Sequence, residues 1–194
     1  TVADDGGSSG RLREEFDILP PGDLRMALAA LCADDELGRT WADVLQSRFG
    51  GDGPLAGHAI GNLLIAGLWE RLQDPVAGLD MVGALLRTQG RVLPMAAVPL
   101  TIEADVVGSD PDRPDELAVL RGQATVAKTQ GDVRAVRLVP TDPPSREETL
   151  ASVLAADHVV LGPGSWFTSV IPHLLVPELA EAIVTTRAQR ILTL

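Results

Sequence analysis

Two glycine-rich turns constrain this chain more than any other feature. Asp4-Asp5-Gly6-Gly7-Ser8-Ser9-Gly10 follows the short apolar stretch Val2-Ala3, and Gly162-Pro163-Gly164-Ser165 follows the Val-rich run Asp157–Leu161. In each place an apolar strand is expected to end, a Gly/Ser turn follows, and a helix is expected soon afterwards. Such turns aim backbone N–H groups at one point, and the positive end of a helix behind them favours phosphate or carboxylate. In a doubly wound sheet these turns gather at the carboxyl ends of the strands, where ligands sit. The reading is an α/β sandwich with a mostly parallel sheet and an anion-binding edge; two tight connections without a ligand are the plain alternative.

The core must suit that fold. Aromatic residues are 3% of the 194 and Tyr is absent, while hydrophobic residues reach 45%, so Ala, Val, Leu and Ile have to fill the interior, as where helices pack on a parallel sheet. One α/β domain over residues 1–194 is expected. The net charge of −11, with no Lys/Arg cluster, leaves no footprint for counterion-driven binding and excludes nucleic acid as a partner. No 18-residue apolar run and no basic start followed by an apolar stretch occurs, which predicts no membrane span, no signal peptide and a cytoplasmic location. Cys32, the single cysteine, lies in the apolar run Ala27–Ala33 and reads as a small hydrophobe.

Periodicity then places the elements. Leu24–Cys32, Asp35–Phe49, Gly57–Leu72 and Pro75–Gln89 read as helices, the first capped by Asp23 and the third apolar on nearly every side. Residues 91–140 alternate instead. Leu100–Val106, Ala118–Lys128 and Val133–Val139 read as strands of an antiparallel meander inserted in the domain. A helix over Ser145–Ala155 is expected to open with a capping box of Ser145 and Glu148, followed by a buried strand at Asp157–Leu161, a helix at Pro177–Thr186 and a strand at Arg190–Leu194. Thr1–Ala3 reads as the tail of a strand, so the chain is expected to start and stop inside a larger unit.

The candidate chemistry clusters around the turns. Asp4 and Asp5 offer hard oxygens that could hold Mg²⁺ on a diphosphate or bond ribose hydroxyls. The hydroxyls of Ser8, Ser9, Ser165, Thr168 and Ser169 either ligate phosphate or cap helices. Arg11, Arg13 and Arg25 follow the first turns, where a guanidinium can pair with phosphate or with a carboxylate. His58 and Asn62 form a polar pair on an otherwise apolar segment, either a satisfied core network or a face toward a ligand. Gly6–Gly10 also spells G-x-S-x-G, the nucleophile-elbow string, but no histidine carries an independent sign of a hydrolase triad.

Four segments, Thr1–Arg13 (TVADDGGSSGRLR), Pro20–Arg25 (PPGDLR), Gly57–Leu64 (GHAIGNLL) and Gly162–Ser169 (GPGSWFTS), resemble in order the YvcK-like gluconeogenesis and morphogenesis factors of the YvcK/CofD superfamily. The resemblance covers essentially the whole chain. It implies a Rossmann-like three-layer sandwich that binds UDP-glucose or UDP-N-acetylglucosamine and acts in cell shape, cell-wall synthesis and growth on gluconeogenic carbon, with no reaction firmly attached to that branch. The related CofD branch transfers phospholactate to a deazaflavin alcohol, and a 2-phospho-L-lactate transferase is the alternative. The implied ligand-binding set is Asp4, Asp5, Gly6, Gly7, Ser8, Ser9, Gly10, Asp23, Arg25, His58, Asn62, Gly162, Pro163, Gly164, Ser165, Thr168 and Ser169, lying between the two turns, with Mg²⁺ on Asp4 and Asp5 and a homo-oligomer left open. The family's GGGTG-type loop upstream of the first motif is absent here, and His173 stands where the family commonly has Asn.

Overall fold

Helices build the first half of the chain because its caps and apolar spacing agree. In the computed structural model, which describes residues 1–193, the chain divides into two compact units, Val2–Pro94 and Thr1 with Met95–Leu194. The first unit holds α1 (Gly7–Phe16), α2 (Gly22–Ala30), α3 (Glu36–Gln46), α4 (Ile60–Leu72) and α5 (Pro75–Leu86). Asp35 caps α3 by accepting from Gly38 N at 2.8 Å, and Asp74 caps α5 by accepting from Val76 N at 3.0 Å. Leu12, Leu28, Leu45, Ile65, Leu79 and Val82 are withdrawn from water, each contributing about 1.5–3 kcal/mol by burial. Asp23 does not cap α2. The helix starts two residues earlier, with Pro21 as its cap residue, so Asp23 lies inside the first turn, where its charge favours the helix dipole.

The second unit carries the strands. β1 (Thr101–Val107) is central, with β2 (Leu117–Arg121) and β3 (Asp132–Val139) antiparallel on its two sides. Ile102, Ala104 and Val106 alternate into the core, while on the other face Glu103 and Asp105 both accept from Arg137, at 2.9 and 2.7 Å. The order β2-β1-β3 is not the expected meander. Gly122, at φ 100°, ends β2, and the helix formers of Gln123–Lys128 make α6 where strand was expected, delivering β3 to the far edge of β1.

Downstream, α7 (Glu147–Ala155) leads to β4 (His158–Leu161), a π-helical turn (Trp166–Val170), α8 (Ile171–Leu174), α9 (Pro177–Thr185) and β5 (Gln189–Leu192). β4 and β5 pair in parallel from His158↔Gln189 to Leu161↔Leu192. This strand–helix–strand unit beside the antiparallel insertion makes the chain an α/β protein of the Rossmann-like class, as the sequence predicts. Four local expectations change. β4 is not buried, since Val160 is 53% exposed. No capping box opens α7, because Ser145 N donates to Glu178 Oε2 at 2.7 Å. Val2 and Ala3 are fully buried but pair with no strand among the described residues. The last strand begins at Gln189, one residue early, and Leu194 lies outside the described residues.

Candidate functional site

The first glycine segment is less a loop than a helix start. α1 begins at Gly7, so Gly7, Ser8 and Ser9 form its opening positions, and Gly10 N donates to Gly6 O at 3.0 Å as the first closed turn. The amides of Gly7, Ser8 and Ser9 precede the intrahelical ladder, as every helix leaves its first N–H groups without an internal acceptor. Asp4 Oδ1 accepts from Gly6 N at 3.0 Å, which folds the Asp4 carboxylate back against this start, while Asp5 is exposed beside it. A side chain at Gly10 would strike the carbonyl of Asp5, so glycine is required for the chain to turn this tightly into the helix.

The two serines of this turn point inward. Ser8 and Ser9 are each 2% exposed. Ser8 Oγ accepts from the backbone N of Ala59 at 3.2 Å and from Asn62 Nδ2 at 3.1 Å, and it lies 3.0 Å from His58 Nδ1. One hydroxyl thereby joins the start of α1 to the start of α4. Ser9 Oγ accepts from Gly22 N at 2.9 Å, joining the same turn to the start of α2. Gly22 packs against Asp4 and Ser9 so closely that a Cβ there would collide with the Asp4 carboxylate. The hydrolase reading fails on this geometry, since both lone pairs of Ser8 Oγ are engaged by donors and the oxygen is shut off from solvent.

Arg25 completes the cluster from α2. Its side chain is 5% exposed, NH1 donates to Gln46 Oε1 and to Leu45 O, and Nε is buried without a partner among the described residues. Burial and the nearby Arg48 pull its pKa down from the ordinary guanidinium range, and Asp4 and Asp23 oppose them. Asn62 Oδ1 is likewise buried and has no partner among the described residues. The first unit therefore brings together Asp4, Asp5, Gly6–Gly10, Asp23, Arg25, His58 and Asn62 as one polar cluster at the starts of three helices. Arg11, read as a partner for phosphate or for a carboxylate, donates to Ala56 O at 2.9 Å.

The second glycine segment belongs to the other unit. Gly162, Pro163, Gly164 and Ser165 lead into the π-helical turn, in which Ser169 N and Val170 N both donate to Ser165 O, at 2.8 and 3.1 Å. Pro163, Gly164 and Ser165 are exposed, Ser169 is partly buried, and Thr168 is 3% exposed. Gln123 Nε2 braces this turn from α6, donating to Thr168 O at 3.1 Å and to Thr1 Oγ1 at 3.3 Å. Sequence reasoning missed Gln123, which it placed inside a strand, and Gln46, which sits on the far end of α3 from its cap. Neither has a local signal, because both act through partners distant in the chain. Among the described residues no group of three or more His, Cys, Asp or Glu side chains is placed to hold a metal.

Comparisons with known proteins place the chain in a family. The profile of a family described as "2-phospho-L-lactate transferase CofD" matches residues 1–194. A Mycobacterium tuberculosis (strain ATCC 25618 / H37Rv) protein whose name contains the words gluconeogenesis factor is 62% identical over all of this chain and 56% of its own length. The "Gluconeogenesis factor" of Halalkalibacterium halodurans is 37% identical over 98% of this chain and 56% of its own. A crystal structure of a Bacillus halodurans protein of the UPF0052 family superposes with a TM-score of 0.85 at 38% identity, covering 98% of this chain and 58% of that one. The chain thus spans about half the length of the curated relatives it matches. Among the described residues no single helix is long and apolar enough to cross a membrane.

Proposed function

The chain belongs to the YvcK/CofD family, and from that premise we propose that it binds a nucleotide sugar of the UDP-glucose or UDP-N-acetylglucosamine class and acts as a regulatory gluconeogenesis factor with a role in cell shape and cell-wall synthesis. The supporting observation is the opening turn of α1, where the amides of Gly7, Ser8 and Ser9 precede the intrahelical ladder while the hydroxyls of Ser8 and Ser9 are turned inward. That division suits a diphosphate: the backbone supplies the donors, and the side chains fix their direction. Arg25, buried behind the turn beside Asp4 and Asp23, adds fixed positive charge.

Charge makes a further demand on this reading. Asp4 and Asp5 stand at the mouth of the turn, and two carboxylates repel a diphosphate unless a cation intervenes. They fall short of a protein-built metal cage but fit Mg²⁺, which takes one or two carboxylates and completes its octahedron with phosphate and water. Asp23, His58 and Asn62 serve as supports of the turn. In the other unit the Gly162–Ser165 backbone, exposed from Pro163 to Ser165 and followed by Thr168 and Ser169, is a second candidate contact for anionic groups. Cytoplasmic action accords with the chemistry of such a ligand.

Calorimetric titration with UDP-glucose, with Mg²⁺ and then with EDTA, tests the proposal. Binding that weakens at least tenfold without Mg²⁺ and in D4N supports it, whereas no heat with any UDP-sugar removes it. The family description favours a second reading, a 2-phospho-L-lactate transferase. Formation of a phosphodiester on a deazaflavin alcohol by the same protein would establish that reading instead.

A further inference from the structure

The Ser8 hydroxyl has one hydrogen to donate and two lone pairs to offer. Both lone pairs have takers, since the Ala59 amide and the Asn62 Nδ2 group can only donate. With the Asn62 amide oriented so that Nδ2 meets Ser8, the single hydrogen of Ser8 goes to His58 Nδ1, 3.0 Å away. An imidazole that accepts at Nδ1 carries its proton on Nε2. In this orientation of Asn62 the network closes around a neutral His58 in the Nε2–H tautomer.

Adding a proton breaks the count. Protonated His58 donates from both nitrogens, so Nδ1–H would become a third donor aimed at an oxygen with two lone pairs, and the Ser8 hydrogen would lose its acceptor. With Ser8 2% exposed and His58 5% exposed, water has little room to repair the mismatch, and either the Ala59 or the Asn62 bond must open. Ala59 is the cap residue of α4 and Ser8 lies in the opening turn of α1, so what opens is the junction between the two helix starts.

We propose that His58 is a positioning residue that latches the amides of the α1 opening turn in place while neutral, and that its protonation releases this turn, so that the anion site loses affinity in mild acid. The proposal rests on the reading of that turn as the phosphate cradle. Around the ring stand Arg11 and Glu15 of α1 and Arg48 of the segment after α3; its polar neighbour at the start of α4, Asn62, is uncharged. Arg11 and Arg48 are themselves held by the carbonyls of Ala56 and Gly57, at 2.9 and 2.7 Å, which keeps positive charge near His58. Burial first, then Arg11 and more weakly Arg48, hold the imidazole pKa below its ordinary value, against the opposing pull of Glu15. The latch is therefore closed at neutral pH and opens only on acidification.

Two measurements test it. Long-range ¹H–¹⁵N spectra of the imidazoles, with His58 identified by its loss in H58N, report tautomer and titration without any ligand. The expected result is an Nε2–H tautomer that titrates below about 6.5, with the Gly7, Ser8 and Asn62 amides moving at the same midpoint. An Nδ1–H tautomer, a midpoint at or above that value, or amides that stay still would overturn the latch. The second measurement is the pH profile of UDP-glucose affinity. Because only the neutral form holds the cradle, the apparent Kd should rise about tenfold per pH unit below the His58 midpoint. In H58N, whose Oδ1 can accept from Ser8 but cannot titrate, that slope should disappear, and a wild-type slope in H58N refutes the idea. If UDP-glucose binds at no pH, the nucleotide-sugar reading falls, while the spectra still decide the latch.

Discussion

In the first glycine segment the hydroxyls of Ser8 and Ser9 are 2% exposed and between them bond the starts of α4 and α2, whereas in the second Ser165 is exposed and its side chain bonds to nothing among the described residues. Both segments have the same grammar of glycine, serine and helix start. One has become a junction of three helices, held from within. The other is a surface turn braced from outside by Gln123. Glycine and serine in such a string announce that backbone donors are free; they do not announce whether the side chains beside them face the core or the solvent.

The sharpest way to break this comparison is to remove the two serine hydroxyls separately. S8A leaves the Ala59 amide and Asn62 Nδ2 buried without an acceptor, so it should cost about 3 kcal/mol, read as a lower urea midpoint at unchanged slope. A loss under about 1 kcal/mol would mean that the junction is not held by that oxygen. Next in size, G22A should cost about 2 kcal/mol, because its methyl group must displace the Asp4 carboxylate and the Ser9 hydroxyl that crowd it. Gln123→Ala removes the brace of the second turn and should cost about 1 kcal/mol, since its partners remain partly accessible to water. Smallest of all, S165A should change stability by no more than about 0.5 kcal/mol. Equal effects of S8A and S165A would erase the distinction between the segments.

Acid sharpens the contrast further. His58 in the folded protein has a pKa below its unfolded value, so the unfolded state binds more protons once the pH drops below about 6.5. Its contribution to stability is therefore complete above that pH and declines as the pH falls toward the folded pKa. Urea midpoints of the wild type should fall between pH 7 and pH 5 more steeply than those of H58N. Parallel curves for the two proteins would show that His58 is not titrating inside the junction.

Much of the fold was legible because its signals are local. Pro75 at the start of α5, the alternation Ile102-Ala104-Val106 and the Gly/Ser strings each act within a few residues, and the structure has them where the pattern indicates. The failures were contests between local signals and longer partners. Ala118–Lys128 reads as one apolar strand, yet Gly122 divides it, and Ser145 with Glu148 looks like a capping box until Glu178 takes the Ser145 amide. The candidate site was half legible in the same sense: Asp4, Ser8, Arg25, His58 and Asn62 were named from composition and motif, but their partners were not.

By itself the sequence determined an α/β chain, the antiparallel insertion, the helix starts that leave donors open, and the family. These follow from periodicity, glycine placement and motif order, which need no knowledge of distant contacts. Only the tertiary structure decided that Ser8 and Ser9 face inward, that His58 and Asn62 meet on one hydroxyl, and that Gln123 rather than a neighbour steadies the second turn. A hydroxyl or an imidazole can serve a ligand or a core equally well, and what settles the choice is which donors and acceptors the fold brings within about 3 Å of it.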